Sequence, residues 1–440
     1  MGVCSLDAFT QRPLLNGDQT QDTTHFMNDT KFKAQIYPLR VFSGPSSLSN
    51  LPKEVTRLGV GRVLVISGRT VSRATALVND IESLLGERFA ARFDEVDRHC
   101  LEPCMTRALE MAQALQVDAI VSVGAGTACM AARILAIALA EEEPFERLST
   151  HYEPGKVPVS PRLYKPKVPI WNVLTTATSA QNGAGATMKT YPQAERWEFF
   201  DPKTRAMGVF WDANALASTS ESVSRAAGLS TLWFSLMRMG GVGHANPLVQ
   251  GDRHQAWRLA LASMDHLGLP VDANARINMC AASYLHNRDV DHGGRPFELH
   301  WVVRVCYALG AGLMSINDDI GPGQAYLSLT CAAIRVFGER DLSALKEMCS
   351  FLPKVQHHSL KDWGVEEIAN AVEGFFASKG FRCDLKTLGL KADQLPRVRE
   401  MALRNFNADP KGEFIKEVDL LDNVLSLSFE KNTAFNNTQQ

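Results

Sequence analysis

Residues 118–138 read DAIVSVGAGTACMAARILAIA, and this stretch limits the available folds more than any other. Ala119-Ile120-Val121-Ser122-Val123 is a mostly apolar run, short enough for a buried parallel strand. Gly124-Ala125-Gly126-Thr127 is a turn of small residues, and an Ala-rich helical pattern follows it. Strand, tight turn and helix N-terminus together present unbonded backbone N–H groups to an anion. Gly124 and Gly126 let the main chain approach a phosphate, and Thr127 can cap the helix with its hydroxyl. The pattern predicts the pyrophosphate cradle of a nucleotide cofactor, against the alternative of a turn kept small for packing alone.

The surrounding chain alternates in the same way. Residues 35–42 read as extended, 46–58 as a short helix, 62–68 as a buried strand ending at Gly68, and 72–86 as the next helix. Residues 89–96 are a second strand and 105–115 another helix, so the first half predicts βαβ units and a parallel sheet with ligands at its carboxyl edge. A Pro-rich polar insertion at 141–168 predicts a surface loop, and beside a site such a loop can act as a lid. A strand at 169–174 runs into the hydroxyl-rich Thr175, Thr176, Thr178 and Ser179, and a strand pair follows near 197–200 and 209–211. From 218 to about 425 the pattern is helical. A chain of 440 residues exceeds the usual size of one core. The expected organisation is a loose tail at 1–30, an α/β dinucleotide-binding (Rossmann-like) domain at 31–212, an all-helical domain at 213–430 and a second tail at 431–440.

Charge and cysteine content narrow the partners. A net charge of −2 gives no electrostatic reason to bind nucleic acid or an anionic membrane. Nine scattered cysteines without a metal-type CxxC pair fit reduced thiols in a reducing compartment. No apolar run approaches the roughly 18 residues of a membrane span, and no signal pattern opens the chain. The expectation is a cytoplasmic protein acting on a small molecule.

In order and spacing, several segments resemble the iron-type alcohol dehydrogenase superfamily, most closely its maleylacetate reductase branch. They are Arg40-Val41-Phe42-Ser43-Gly44, then LPKEVTRLG at 51–59, then Val123-Gly124-Ala125-Gly126-Thr127 at the family's Gly-Gly-Gly-Ser loop. Arg133 stands for its usual Lys, 175–179 match its Thr-Thr segment, and Cys306-Tyr307-Ala308-Leu309-Gly310 match its Cys-His-x-Leu-Gly helix. The resemblance implies the dehydroquinate synthase-like fold of iron-type alcohol dehydrogenases, an active site in the cleft between the two domains, NADPH or NADH as cofactor, and a homodimer. It also implies where a divalent metal would be held, by one Asp and three His of the helical domain. Here Ser230 occupies the Asp position, Phe234 and Tyr307 two His positions, and the turn at 317–323 has no His. Phe offers no donor, so no metal is expected.

With the metal gone, a carbonyl would need another group to stabilise the developing alkoxide. His300, Arg304 and Tyr307, at i, i+4 and i+7, are predicted on one helical face. Arg304 falls where the maleylacetate branch has a Lys and could read a substrate carboxylate. Tyr307 could donate a proton that His300 relays; packing roles for His300 and Tyr307 stay open. Weaker candidates are a presumed loop cluster of His286, Asp289, Asp291 and His292, the pair Asp318 and Asp319, and His357-His358, which reads as surface. Strand 62–68 ends at Gly68-Arg69 without an acid for a ribose 2′-hydroxyl, which tilts the cofactor toward NADPH. The expected function is an NAD(P)H-dependent reductase of a carbonyl compound, working without a metal. The alternatives are a redox-silent descendant catalysing a cyclisation, dehydration or isomerisation, and a non-catalytic binding protein. The tail, the insertion and the altered ligands suit specialised metabolite biosynthesis.

Overall fold

The computed structural model describes residues 31–152, 158–193, 195–355, 359–382 and 384–430. The expected tails at 1–30 and 431–440, and His357-His358, lie outside the described residues. The strands are β1 (Arg40–Gly44), β2 (Val63–Ser67), β3 (Phe89–Phe93), β4 (Ala119–Gly124), β5 (Ile170–Leu174), β6 (Gly185–Lys189), β7 (Arg196–Phe200) and β8 (Gly208–Asp212). Six form one parallel sheet in the order β1-β8-β5-β4-β2-β3, and β6 pairs with β7 as an antiparallel hairpin.

The sheet is parallel because its strands are apolar on both faces, which only a sheet covered on both sides can bury. Leu64, Ile66 and Ile120 point into one core with the helices Glu102–Ala114 and Gly126–Glu141. Val63, Val65, Val121 and Val123 point into the other, against Leu51–Arg57 and Leu77–Leu85. The chain leaves β2 toward β3 on one side and then returns to lay β4 on the other, so a topological switch point lies between β2 and β4. Ligands of such sheets bind at that crevice.

β8 ends at Asp212, which joins the two halves. Its carboxylate caps the helix Ala213–Ala217 at Asn214 N (3.0 Å) and accepts from Leu48 N (3.0 Å). Beyond it, helices Glu221–Met237, Pro247–Met264, Ala273–Asp291, Trp301–Ile316 and Pro322–Phe337 surround the largest apolar core.

Local boundaries differ from the sequence expectation for identifiable reasons. The helix expected at 72–86 is two helices, Arg69–Ala74 and Leu77–Leu85, broken where Thr75 takes an extended conformation (φ −134°, ψ 157°). The cluster of His286, Asp289, Asp291 and His292, expected on a loop, lies at the end of helix Ala273–Asp291, which stops at His292 before Gly293 (φ +89°). The Gly-Gly pair terminates the helix rather than dissolving it.

Candidate active site

The carboxyl edge of the sheet gathers the cofactor residues expected from the sequence. Ser67 is in register with Val123, and Gly124 with Leu174. Gly68, the turn at 124–126 and Thr175 therefore leave three adjacent strands side by side. Gly124 has φ +148°, a conformation that favours glycine. A Cβ on Gly126 would lie 2.8 Å from Thr178 Oγ1, so the Thr segment packs directly on the turn. Thr175 N donates to Gly124 O (3.1 Å), and Thr178 Oγ1 accepts from Ala180 N (3.1 Å).

Thr127 does not cap the helix Gly126–Glu141. The N-cap is Ala125, with no side-chain cap, and the Thr127 hydroxyl donates to Arg98 O at 3.5 Å. The first-turn N–H groups are thus left for a ligand, and this uncapped turn beside two glycines fits the pyrophosphate of a dinucleotide. Arg69 is largely exposed and 3.7 Å from Glu95. Arg133 is buried, donating to Gly185 O (2.7 Å) and to Ala180 O, and burial pushes its guanidinium down to about 10.

The catalytic trio expected on one helical face is not brought together. His300 is the N-cap of helix Trp301–Ile316, with extended backbone (φ −164°), so its ring points back along the helix start rather than along the face. Nδ1 accepts from Val303 N (3.2 Å) and Nε2 bonds Met237 O (2.9 Å), which leaves no nitrogen for a relay. Burial lowers its pKa, although the Met237 contact opposes the shift. Arg304 is paired with Asp409 (2.9 Å) and Glu413 (2.8 Å) and stacked over Trp301, so its fork is already used. Tyr307 alone of the three keeps an unbonded polar tip among the described residues, and burial raises its pKa.

The remaining candidates are structural pairs. His286 Nε2 bonds Ser235 Oγ (2.9 Å), and burial together with Arg238 drives its pKa well down. Asp289 accepts from Arg253 (2.8 Å), Asp291 from Arg205 (2.8 Å), and Asp252 holds His292 (2.9 Å). Asp319 is exposed, with its N–H bonded to Asn317 Oδ1 at 3.0 Å.

Where the resemblance to iron-type alcohol dehydrogenases implies a metal, rings meet. Phe234 lies 6.3 Å from Tyr307 and 5.2 Å from Tyr326, and Phe297 lies 4.4 Å from Tyr307. Among the described residues no group of three or more His, Cys, Asp or Glu could hold a metal ion. This donor set does not fit a divalent cation.

A contact across the cleft was missed from sequence because its members are far apart in the chain. Residues 97–100 follow β3 and touch both halves. Arg98 Nη2 donates to Ile320 O (3.2 Å), and His99 Nε2 meets Asp318 Oδ1 (2.8 Å). Lys189 on β6 also reaches Asp318 (3.3 Å). Burial alone would raise the Asp318 carboxyl, but hydrogen bonds from His99 and Lys189 hold it below its ordinary value. With Arg98 O bonded to Thr127, this strap links the cradle to the helical domain.

Comparison with known proteins agrees with this architecture. Residues 38–213 match the family model of iron-containing alcohol dehydrogenases. Maleylacetate reductase 1 of Cupriavidus pinatubonensis is 23% identical over 409 residues, covering 91% of this chain and 97% of that protein. NADH-dependent butanol dehydrogenase A from Thermotoga maritima superposes with a TM-score of 0.76 at 15% identity, covering 92% of this chain and 100% of the other. Maleylacetate reductase from Agrobacterium tumefaciens gives 0.66 at 19% identity, covering 91% and 98%. These structures share the fold. No helix among the described residues is long and apolar enough to cross a membrane.

Proposed function

We propose that this oxidoreductase, a relative of the iron-containing alcohol dehydrogenases, is a nicotinamide-dependent carbonyl reductase in which a tyrosine hydroxyl replaces a metal ion at the carbonyl oxygen. The observation that carries the reading is the pairing of an uncapped glycine turn at the switch point with a ring-lined wall that carries the Tyr307 hydroxyl. Residues 124–127 would hold the pyrophosphate, and Thr175, Thr176, Thr178 and Ser179 would border the nicotinamide half. A reduced nicotinamide bound there would supply a hydride to the carbonyl carbon. As the carbonyl π pair moves onto oxygen, Tyr307 hydrogen-bonds the developing alkoxide and gives it a proton, which solvent then restores to the phenolate. Burial keeps this hydroxyl protonated at neutral pH.

NADPH is the favoured form, because Gly68 and Arg69 stand where an acid would select the ribose hydroxyl, and Arg69 is exposed enough to meet a 2′-phosphate. A carboxylate on the substrate is not required, since Arg304 is already paired.

A redox-silent reaction in the same cleft is a second reading, favoured by the strap, whose Arg98 carbonyl engages the cradle's Thr127 hydroxyl. Titration with NADPH and NADH, followed by Trp fluorescence, separates the two. Saturable binding, tighter for NADPH, is expected of the reductase; no binding at millimolar cofactor overturns it. Activity should be unchanged after chelation and dialysis, and loss restored by added divalent metal would refute the metal-free reading.

A further inference from the structure

Tyr326 did not stand out in the sequence, yet it is the more buried of the two tyrosines at this wall. It lies on helix Pro322–Phe337, is 5% exposed, and makes no hydrogen bond among the described residues. The hydroxyl is not among the buried polar atoms left without a partner, so the tip of this otherwise buried ring is open to a ligand. The neighbouring polar tip shows that satisfaction was available here: Trp233 Nε1 donates to Thr330 Oγ1 at 2.8 Å. Nor is Tyr326 placed loosely. A Cβ on Gly310 would come within 2.6 Å of its ring, so helix Trp301–Ile316 is kept bare at that point to seat it.

The Tyr326 ring lies 6.0 Å from that of Tyr307, with only 24° between their planes. Burial raises the pKa of both hydroxyls, and Arg196, on the hairpin of the other domain, opposes that shift at each. Arg196 itself is paired with Glu198 (3.0 Å), and Arg238 with Asp289 (3.6 Å) and His286 O (2.5 Å). The rings of Phe234 and Phe297 pack against those of Tyr326 (5.2 Å) and Tyr307 (4.4 Å).

We infer that Tyr326 is a second hydrogen-bond donor to the substrate's carbonyl oxygen beside Tyr307, and that the cleft takes a flat, conjugated carbonyl compound without a carboxylate at its reacting end. The inference rests on the proposed reductase reading for what the oxygen becomes, but not for the presence of the donor pair. Two neutral donors stabilise a developing oxyanion without either having to ionise. Stacking on Phe234 and Phe297 rewards planarity, and Arg196 and Arg238 are each ion-paired with a carboxylate.

The test uses 4-nitrophenol, whose planar phenolate imitates the oxyanion, titrated into the full chain by absorbance near the probe's own pKa. The wild type should bind the phenolate saturably, and Tyr326→Phe and Tyr307→Phe should each weaken binding roughly tenfold or more. Maleate, a non-aromatic dicarboxylate, should fail to displace the probe. Thermal unfolding of Tyr326→Phe should be unchanged or raised, because no protein partner loses a bond; a lower midpoint would mark the hydroxyl as structural and overturn the inference. Undiminished probe binding by Tyr326→Phe, efficient displacement by maleate, or no binding by the wild type would overturn it too. NADPH titration of the same samples keeps the two readings apart. Probe binding without cofactor binding defeats the reductase and leaves the donor pair, whereas cofactor binding without probe binding does the reverse.

Discussion

The two walls of the interdomain cleft differ in the groups they present to a ligand. On the sheet side the contacts expected with a ligand are main-chain N–H groups, held open by Gly124 and Gly126 and by the absence of a side-chain cap. On the helical side they are side-chain tips, and at the positions where the resemblance to iron-type alcohol dehydrogenases implies a metal those tips are a serine and aromatic rings. A backbone site persists while its turn persists, since many side chains are compatible with the same N–H geometry. A side-chain site ends with the loss of its donors, because coordination has no substitute for the lone pair. One wall can therefore keep its task while the other changes chemistry.

The largest expected effect lies on the helical wall. Tyr307→Phe should lower kcat by about 10²–10³, the loss typical of an oxyanion donor, with cofactor affinity unchanged. A normal kcat would remove the helical wall from the chemistry. On the sheet wall, Gly126→Val should do the opposite. Its Cβ would meet Thr178 Oγ1 at 2.8 Å, and overpacking of about 1–3 kcal/mol corresponds to roughly 5–150-fold weaker cofactor binding by fluorescence titration. Probe binding at the tyrosines should survive it.

Acid should separate the walls by stability. His286 and His300 are buried in the helical domain with pKa values below the ordinary histidine range, mainly through burial. The unfolded chain therefore takes up protons near pH 6.5 that the folded chain refuses, so stability present above that pH is lost below it. Each histidine steepens the loss by up to about 1.4 kcal/mol per pH unit. Hydrogen exchange between pH 7 and 5 should show the helical domain loosening first, and His286→Gln should flatten the profile; simultaneous loosening of the sheet would blur the contrast. The smallest effect belongs to the strap. Asp318 is exposed, and exposed ion pairs contribute little. Asp318→Asn should change cofactor KM by only about two- to fivefold while leaving kcat alone, and a large fall in kcat would place Asp318 in the chemistry instead.

The alternation of short apolar runs with helical patterns was enough to read the parallel sheet, because strands buried on both faces need nothing but hydrophobicity to be recognised. The turn at 124–127 was legible for the same local reason, since glycine spacing and backbone geometry are properties of neighbours in the chain.

What local pattern could not supply was the use to which each polar group is put. His300, Arg304 and Tyr307 share helical spacing, yet one became a cap, one an ion-paired bracket and one a hydroxyl without a hydrogen bond among the described residues. Those fates were set by Met237, Asp409 and Glu413, which are remote in sequence. Tyr326 and the strap from Arg98 to Ile320 were invisible for the same reason. Secondary structure and backbone sites follow from short-range sterics and hydrophobic period, whereas a side chain's partner is fixed only when distant segments pack together.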